Sequence, residues 1–320
     1  MKLVIFIPCL NEEKTLPPTL KSIPKNIPGI DEIQVLIIDD GSTDKTVEVA
    51  KKLGVKEFVY HIKRQGLSAG VKDGLNRALE LGADIIVLTD GDNQYKQERI
   101  PELIKPIMEG WADTVIADRG IDTIEHFTPT KKALQHLGTG VMNAAASTNV
   151  PDATSGFRAY SRAAAMQLSI VARYSFATET TIQASHKQQS IATVPIPTNP
   201  KLRDSRQFKS SWQHARRSSI TIIRAFIMHR PYAVFLTMAG ILLVAGLIPF
   251  ANFLYDYLTH RSSQVFGPHH LQSLIIGTVF LTGSFISFTL GVIADLIRID
   301  RLLLEDVLEH VKHLRYDKRV

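Results

Sequence analysis

An α/β head built on a mostly parallel sheet, followed by two transmembrane helices, is the fold class this sequence predicts. Three observations predict it. Short, near-continuously apolar runs alternate with helical patterns in the N-terminal part, the order expected of parallel strands covered by helices on both faces. Two long stretches then lack any Asp, Glu, Lys, Arg or His: 25 residues from Pro231 to Tyr255 and 24 from Leu271 to Ala294. A bilayer core takes about 20 apolar residues per helix, so both qualify as spans. Finally, acidic residues gather directly after the apolar runs, where open parallel sheets bind their ligands.

The elements follow in order. Lys2 to Pro8 reads as a first strand, Ile33 to Asp39 as a second, Val55 to His61 as a third, Asp84 to Thr89 as a fourth and Thr114 to Ala117 as a fifth. Between them, Ser42 or Thr43 is expected to cap a helix over Thr46 to Leu53. Gly66 to Leu81 carries a 3.6-residue apolar repeat, and Pro101 opens a short helix, since proline suits a first turn. The expected divisions are a head over 1–206, an amphipathic juxtamembrane helix over 207–230, spans over 231–255 and 271–294 joined by a loop over 256–270, and a helical tail over 295–320.

Charge sets the expected topology. Between Lys201 and Arg230 stand eight Lys or Arg against one acid, Asp204, whereas 256–270 offers only Arg261. The positive-inside rule therefore places the head and tail in the cytoplasm and the short connection outside. The net charge of +6 is concentrated beside the membrane, which fits anionic lipid head groups better than nucleic acid. In 207–230, Trp212, Ile220, Ile222, Ile223, Phe226 and Ile227 interleave with Arg216, Arg217 and Arg224, a pattern suited to the interfacial plane or to packing on the head. In the tail, Ile297, Leu304, Val307, Val311 and Leu314 form a brief heptad-like repeat, which leaves homo-oligomerisation open. The single cysteine, Cys9, permits no internal disulfide and reads as a packing residue at a strand end.

The strand ends carry the chemistry. The first gives Pro8, Asn11 and Glu12, the second Asp39-Asp40-Gly41-Ser42-Thr43-Asp44, the fourth Asp90-Gly91-Asp92-Asn93-Gln94, and the fifth Asp118-Arg119. Repelling carboxylates at adjacent strand ends call for a cation, and Mg²⁺ or Mn²⁺ with a phosphate-bearing ligand is the natural one. With 18 Asp in the chain, chance alone supplies roughly one Asp-x-Asp, so its position after a strand carries the weight. Asp39 and Asp40 equally suit a turn and helix cap. The chain holds no G-x-x-x-x-G-K-[ST], no complete dinucleotide fingerprint and no H-E-x-x-H, which argues against a P-loop NTPase, a dehydrogenase and a zincin.

At these residues the sequence resembles family 2 glycosyltransferases of the Rossmann-like GT-A fold, and within them the polyprenyl-phosphate sugar transferases of the dolichol-phosphate mannose synthase group. The matching words are Ile7-Pro8-Cys9-Leu10-Asn11-Glu12-Glu13, Ile38-Asp39-Asp40-Gly41-Ser42-Thr43-Asp44, Gly66-Leu67-Ser68-Ala69-Gly70, Thr89-Asp90-Gly91-Asp92-Asn93-Gln94 and Ser155-Gly156-Phe157-Arg158, in the family's order. The resemblance implies a nucleotide-diphosphate sugar as donor and a polyprenyl phosphate as acceptor. It implies that Pro8, Leu10 and Glu12 with Asp40 line the nucleoside pocket, that Asp39 contributes to substrate binding, and that Asp90, Asp92 and Gln94 hold the metal. Arg119 would stand near the phosphates. Arg203, Ser205 and Arg206 match a late basic motif that meets phosphate, and Ser155 and Arg158 would contribute to substrate binding. Gly91 stands where the family often has alanine, Arg206 where it has lysine, and Lys132 or Lys131 roughly where some members use arginine.

Two rival readings stand beside this one. A processive polysaccharide synthase resembles its kin in a Q-x-x-R-W word, but here Gln213-His214-Ala215-Arg216 is followed by Arg217, and two spans are few for a polymer channel. A non-catalytic membrane-anchored nucleotide-sugar binding protein would not require both Asp90 and Asp92.

Overall fold

The structure is a computed structural model and describes residues 1–121, 129–171, 176–200, 231–259 and 268–316. The expectations for Arg203, Ser205, Arg206 and the 207–230 segment lie outside the described residues. The chain divides into two units, one of 1–225 with 305–320 and one of 226–304.

In the first unit the chain order is β1 (Lys2–Cys9), α1 (Leu16–Ser22), β2 (Glu32–Asp39), α2 (Thr46–Lys52), β3 (Glu57–Tyr60), α3 (Leu67–Glu80), β4 (Ile85–Leu88), α4 (Ile100–Met108), β5 (Thr114–Asp118), α5 (Pro129–Ala146), β6 (Arg158–Ser161), α6 (Arg162–Gln167), α7 (Phe176–His186) and β7 (Ile191–Pro195). The sheet order is β3-β2-β1-β4-β6-β5-β7. All pairings are parallel except those of β6, which runs against both β4 and β5. The five expected strands are present within a few residues, the third shortened from both ends. The sequence reading did not resolve α5 to β7, and β6 shows why. Its four residues, Arg-Ala-Tyr-Ser, carry no apolar run. It is a strand because neighbours on both sides supply its hydrogen bonds.

Successive side chains of β1 point to opposite faces, and each face builds its own core. Leu3, Ile5 and Ile7 meet Ile100, Leu103 and Ile104 of α4 on one side. Val4 and Phe6 meet Val71, Leu75 and Leu79 of α3 on the other. One expectation needs correction: neither Ser42 nor Thr43 caps α2. Asp44 accepts the Thr46 amide at 3.0 Å, while the Ser42 hydroxyl accepts the Asn11 amide at 2.9 Å and the Thr43 amide donates to Asn11 Oδ1 at 2.7 Å. The two residues tie the ends of β1 and β2 together instead.

The second unit contains α8 (Pro231–Thr259) and most of α9 (Pro268–Tyr316), both long and apolar enough to cross a membrane. Helix α8 runs four residues beyond the expected 255, and α9 continues without a break through the expected span and tail. Small residues bring the two helices together: Ser284 and Ser287 on α9 donate to the Ala239 and Phe235 carbonyls of α8 at 2.8 and 2.9 Å. Close packing and these hydrogen bonds hold the pair together.

Candidate active site

The register of the sheet assembles the site. Cys9 pairs with Asp39 and Phe6 with Leu88, so β1, β2 and β4 finish at one rim. Strand β5 is parallel to β4 across the reversed β6, which brings Asp118 and Arg119 to the same rim. Because β6 runs backwards, its first residue, Arg158, and the preceding Ser155-Gly156-Phe157 also arrive there.

Asp90 and Asp92 stand just past β4. Burial and the neighbouring Asp92 push the Asp90 carboxyl up to about 7, against the lowering pull of Arg119. The Asp92 carboxylate turns back to accept the Gln94 amide at 3.1 Å, shaping the loop. Opposite them lies Gly156, where an added Cβ would sit 3.2 Å from Asp90 Oδ2 and 3.3 Å from the Tyr95 hydroxyl. Only glycine leaves the approach to that carboxylate open. Tyr95 is buried, stacks on Phe157 with ring centroids 5.1 Å apart, and accepts the Gly156 amide at 2.9 Å. Among the described residues no three of His, Cys, Asp and Glu form a metal-binding group. Asp90 and Asp92 are the two carboxylates of the acidic loop, and carboxylate oxygens are the donor type that suits a hard divalent cation.

Arg119 is held rigidly. Its Nε and one terminal nitrogen donate to the two oxygens of Asp152 at 2.6 and 2.9 Å, and that same nitrogen donates to Thr154 Oγ1 at 2.8 Å. Burial alone would raise the Asp152 carboxyl, but the guanidinium outweighs it and holds the group below its usual range. This fork fixes the arginine's plane beside Asp90 and Tyr95.

The other expected residues divide. Glu12 is buried at the rim, its amide donating to Thr46 Oγ1 at 2.8 Å, and Pro8 and Leu10 are half-buried beside it. Asp39 accepts the Ser42 amide at 3.3 Å. Asp40 accepts the amides of Gln65 and Gly66 at 2.7 and 3.0 Å and faces His61 Nδ1 at 2.8 Å, so it anchors the loop leading into α3. Gln94 is half-buried in the acidic loop, and Lys132 is half-buried on α5. Ser155 is fully buried, its hydroxyl accepting the Phe157 amide. The reading of Arg158 as a substrate ligand is corrected: it is fully buried and donates to the Ser155, Ala153 and Ala177 carbonyls and to Thr180 and Thr181. An arginine so enclosed braces the loop that carries Gly156. Sequence reading missed Tyr95, Asp152 and Asn199. The last donates its amide to the Gln94 carbonyl at 2.8 Å and its side chain to the Asn93 carbonyl at 3.1 Å, clipping the strand-exit segment to the acidic loop.

Residues 4–169 match the family model for glycosyl transferase family 2. The chain belongs to glycosyl transferase family 2. This family 2 glycosyltransferase is 30% identical over 216 residues, covering 61% of this chain and 84% of the relative, to the UDP-N-acetylglucosamine–dolichyl-phosphate N-acetylglucosaminyltransferase of Methanococcus voltae. It is 27% identical over 206 residues, 61% of this chain and 83% of the relative, to the undecaprenyl-phosphate mannosyltransferase of Micrococcus luteus. In structure it is similar to glucosyl-3-phosphoglycerate synthase of Mycobacterium tuberculosis, crystallised with Mn²⁺, UDP-glucose and phosphoglyceric acid. The TM-score is 0.55 at 21% identity, over 71% of this chain and 78% of that one, which establishes the shared GT-A fold.

Proposed function

We propose that this glycosyltransferase moves a single sugar from a UDP- or GDP-linked donor to a polyprenyl phosphate of undecaprenyl or dolichyl type, at the cytoplasmic face of the membrane and with inversion. The observation that carries the reading is the pair Asp90 and Asp92 at the carboxyl rim, with Arg119 fixed beside them and Gly156 leaving the carboxylate open. The relatives named for dolichyl- and undecaprenyl-phosphate acceptors support the acceptor class.

Asp90 and Asp92, with Gln94, would hold Mg²⁺ or Mn²⁺. Bound there, the ion supplies Lewis acidity toward the departing diphosphate. Glu12, Pro8 and Leu10, with Asp39, form the wall for the nucleoside, while Asp40 keeps the adjoining loop in place. An acceptor phosphate monoester has a second pKa near 6 and is mostly dianionic at neutral pH. Its oxygen can form the new bond to the anomeric carbon while the bond to the nucleoside diphosphate breaks, the electron pair leaving with the diphosphate. No proton moves, so the chain needs no general base, and alignment carries the rate. Arg203, Ser205 and Arg206 match the family's late basic motif, which suits them to meeting a phosphate. The charge asymmetry around the apolar spans supports a cytoplasmic head.

Purified protein incubated with labelled nucleotide-sugars and polyprenyl phosphate should form a glycolipid that disappears on chelation and returns with Mn²⁺ or Mg²⁺. Across the common UDP- and GDP-sugars, the absence of any chelator-sensitive glycolipid would overturn the assignment.

A further inference from the structure

The segment Asp90 to Gln94 is closed into a loop by a side chain from beyond it. Gln97 opens the short 3₁₀ turn Gln97–Arg99 that leads into α4, and it is fully buried. Its Nε2 donates to Thr89 Oγ1 at 2.8 Å and to the Tyr95 carbonyl at 3.3 Å. An amide nitrogen carries two hydrogens, and this one directs both to the residue just before Asp90 and the residue just after Gln94. Each flank is itself fixed. Thr89 is fully buried and its amide donates to the Phe6 carbonyl at 3.3 Å, which prolongs the pairing of β4 with β1. Tyr95 stacks on Phe157 and forms an antiparallel bridge with Thr198. Between the flanks Asn93 turns the chain through the left-handed region, at φ 60°, and Asp92 accepts the Gln94 amide. The clasp therefore sets the span of the loop on which both carboxylates stand.

The residue type carries the argument further. Gln97 Oε1 is buried and, among the described residues, meets no hydrogen-bond partner. A buried polar atom left unpaired destabilises a fold, and methionine, of the same length, would fill the space without that cost. Packing therefore does not call for an amide at 97. What the amide adds is a pair of donors that join the two flanks of the acidic loop.

We infer that Gln97 is a positioning residue for the divalent cation, its clasp holding Asp90 and Asp92 at the spacing the ion requires. The inference rests on the proposed reading of those carboxylates as metal ligands. Two carboxylates two positions apart repel each other, so a loop without the clasp would relax by spreading them. Residues that orient metal ligands by hydrogen bonds act on affinity without touching the ion.

The test titrates the full chain in detergent micelles with Mn²⁺ alone and reads free Mn²⁺ by electron paramagnetic resonance. The parent should bind saturably and Asp92→Asn should not. Gln97→Met and Thr89→Val should each weaken binding about tenfold or more, the usual scale for such orienting residues. The double variant should be no weaker than either single one, because both changes open the same clasp. Thr89→Ser separates positioning from packing. It removes a buried methyl group but keeps the hydroxyl, so it should lower the melting temperature yet bind Mn²⁺ like the parent. If Gln97→Met does not fold, the two Thr89 variants decide. Parent-like binding in Gln97→Met or Thr89→Val, or equal weakening in Thr89→Ser and Thr89→Val, would overturn the inference and leave the metal site standing. A parent protein that binds no Mn²⁺, or binds it equally well after Asp92→Asn, would overturn the metal site and the inference with it.

Discussion

Gly91 lies between the two carboxylates of the acidic loop, and its lack of a side chain is tied to Cys9. A Cβ at 91 would stand 3.1 Å from Cys9 Sγ and 3.5 Å from Glu12 Cγ. Gly91→Ala should therefore cost about 1–3 kcal/mol by overpacking. Adding Cys9→Ala should recover most of it, a coupling that chemical denaturation of the four-member cycle measures. Asp92 makes the complementary case. Asp92→Asn keeps the size and an acceptor for the Gln94 amide, so the fold should persist. Turnover should drop at least about a hundredfold, roughly 2.7 kcal/mol of barrier, as read from initial rates of glycolipid formation. His61 bridges Asp40 at 2.8 Å and Asp73 at 3.0 Å, and these carboxylates raise its pKa against the lowering effect of burial. A raised folded-state pKa contributes stability that is full below the unfolded value near 6.5 and fades as pH climbs through the folded value. The melting temperature of the parent protein should fall over that window, and His61→Gln should flatten the profile.

At the scale of elements, the reversed strand β6 matters most for the site. It wedges Arg158 between β4 and β5 and delivers Gly156 to Asp90, an arrangement no local pattern announces, because the residues that meet are more than forty apart in sequence. The helical hairpin is decided by contact as well. A Cβ at Gly246 would lie 2.9 Å from Leu281, and one at Gly277 would lie 2.9 Å from Phe250, whereas Gly240 has open space around it. Gly246→Leu and Gly277→Leu should separate α8 from α9 and lower the melting temperature in micelles by several degrees, with Gly240→Leu as the silent comparison. Equal effects at all three positions would show that the close packing is not what holds the pair.

For the whole molecule, the proposed reaction asks the sheet rim to meet a phosphate carried on a lipid, so anchoring and chemistry would belong to one design. The proposed cytoplasmic head predicts that protease added outside intact cells should cut only within 256–270 and leave the head whole. Cleavage of the head from outside would reverse the assigned face. The sequence by itself determined the alternation of strands and helices in the first half, the acidic residues at the strand ends and the two long apolar helices, since each is written in local periodicity or in uninterrupted apolar length. Only the tertiary structure decided that Arg158 and Asp40 are braces, that Asp152 aims Arg119, and that Tyr95 and Gly156 frame the carboxylates. Those outcomes depend on which distant groups become neighbours in a low-dielectric interior, where an unpaired charge is costly and a missing Cβ opens a path.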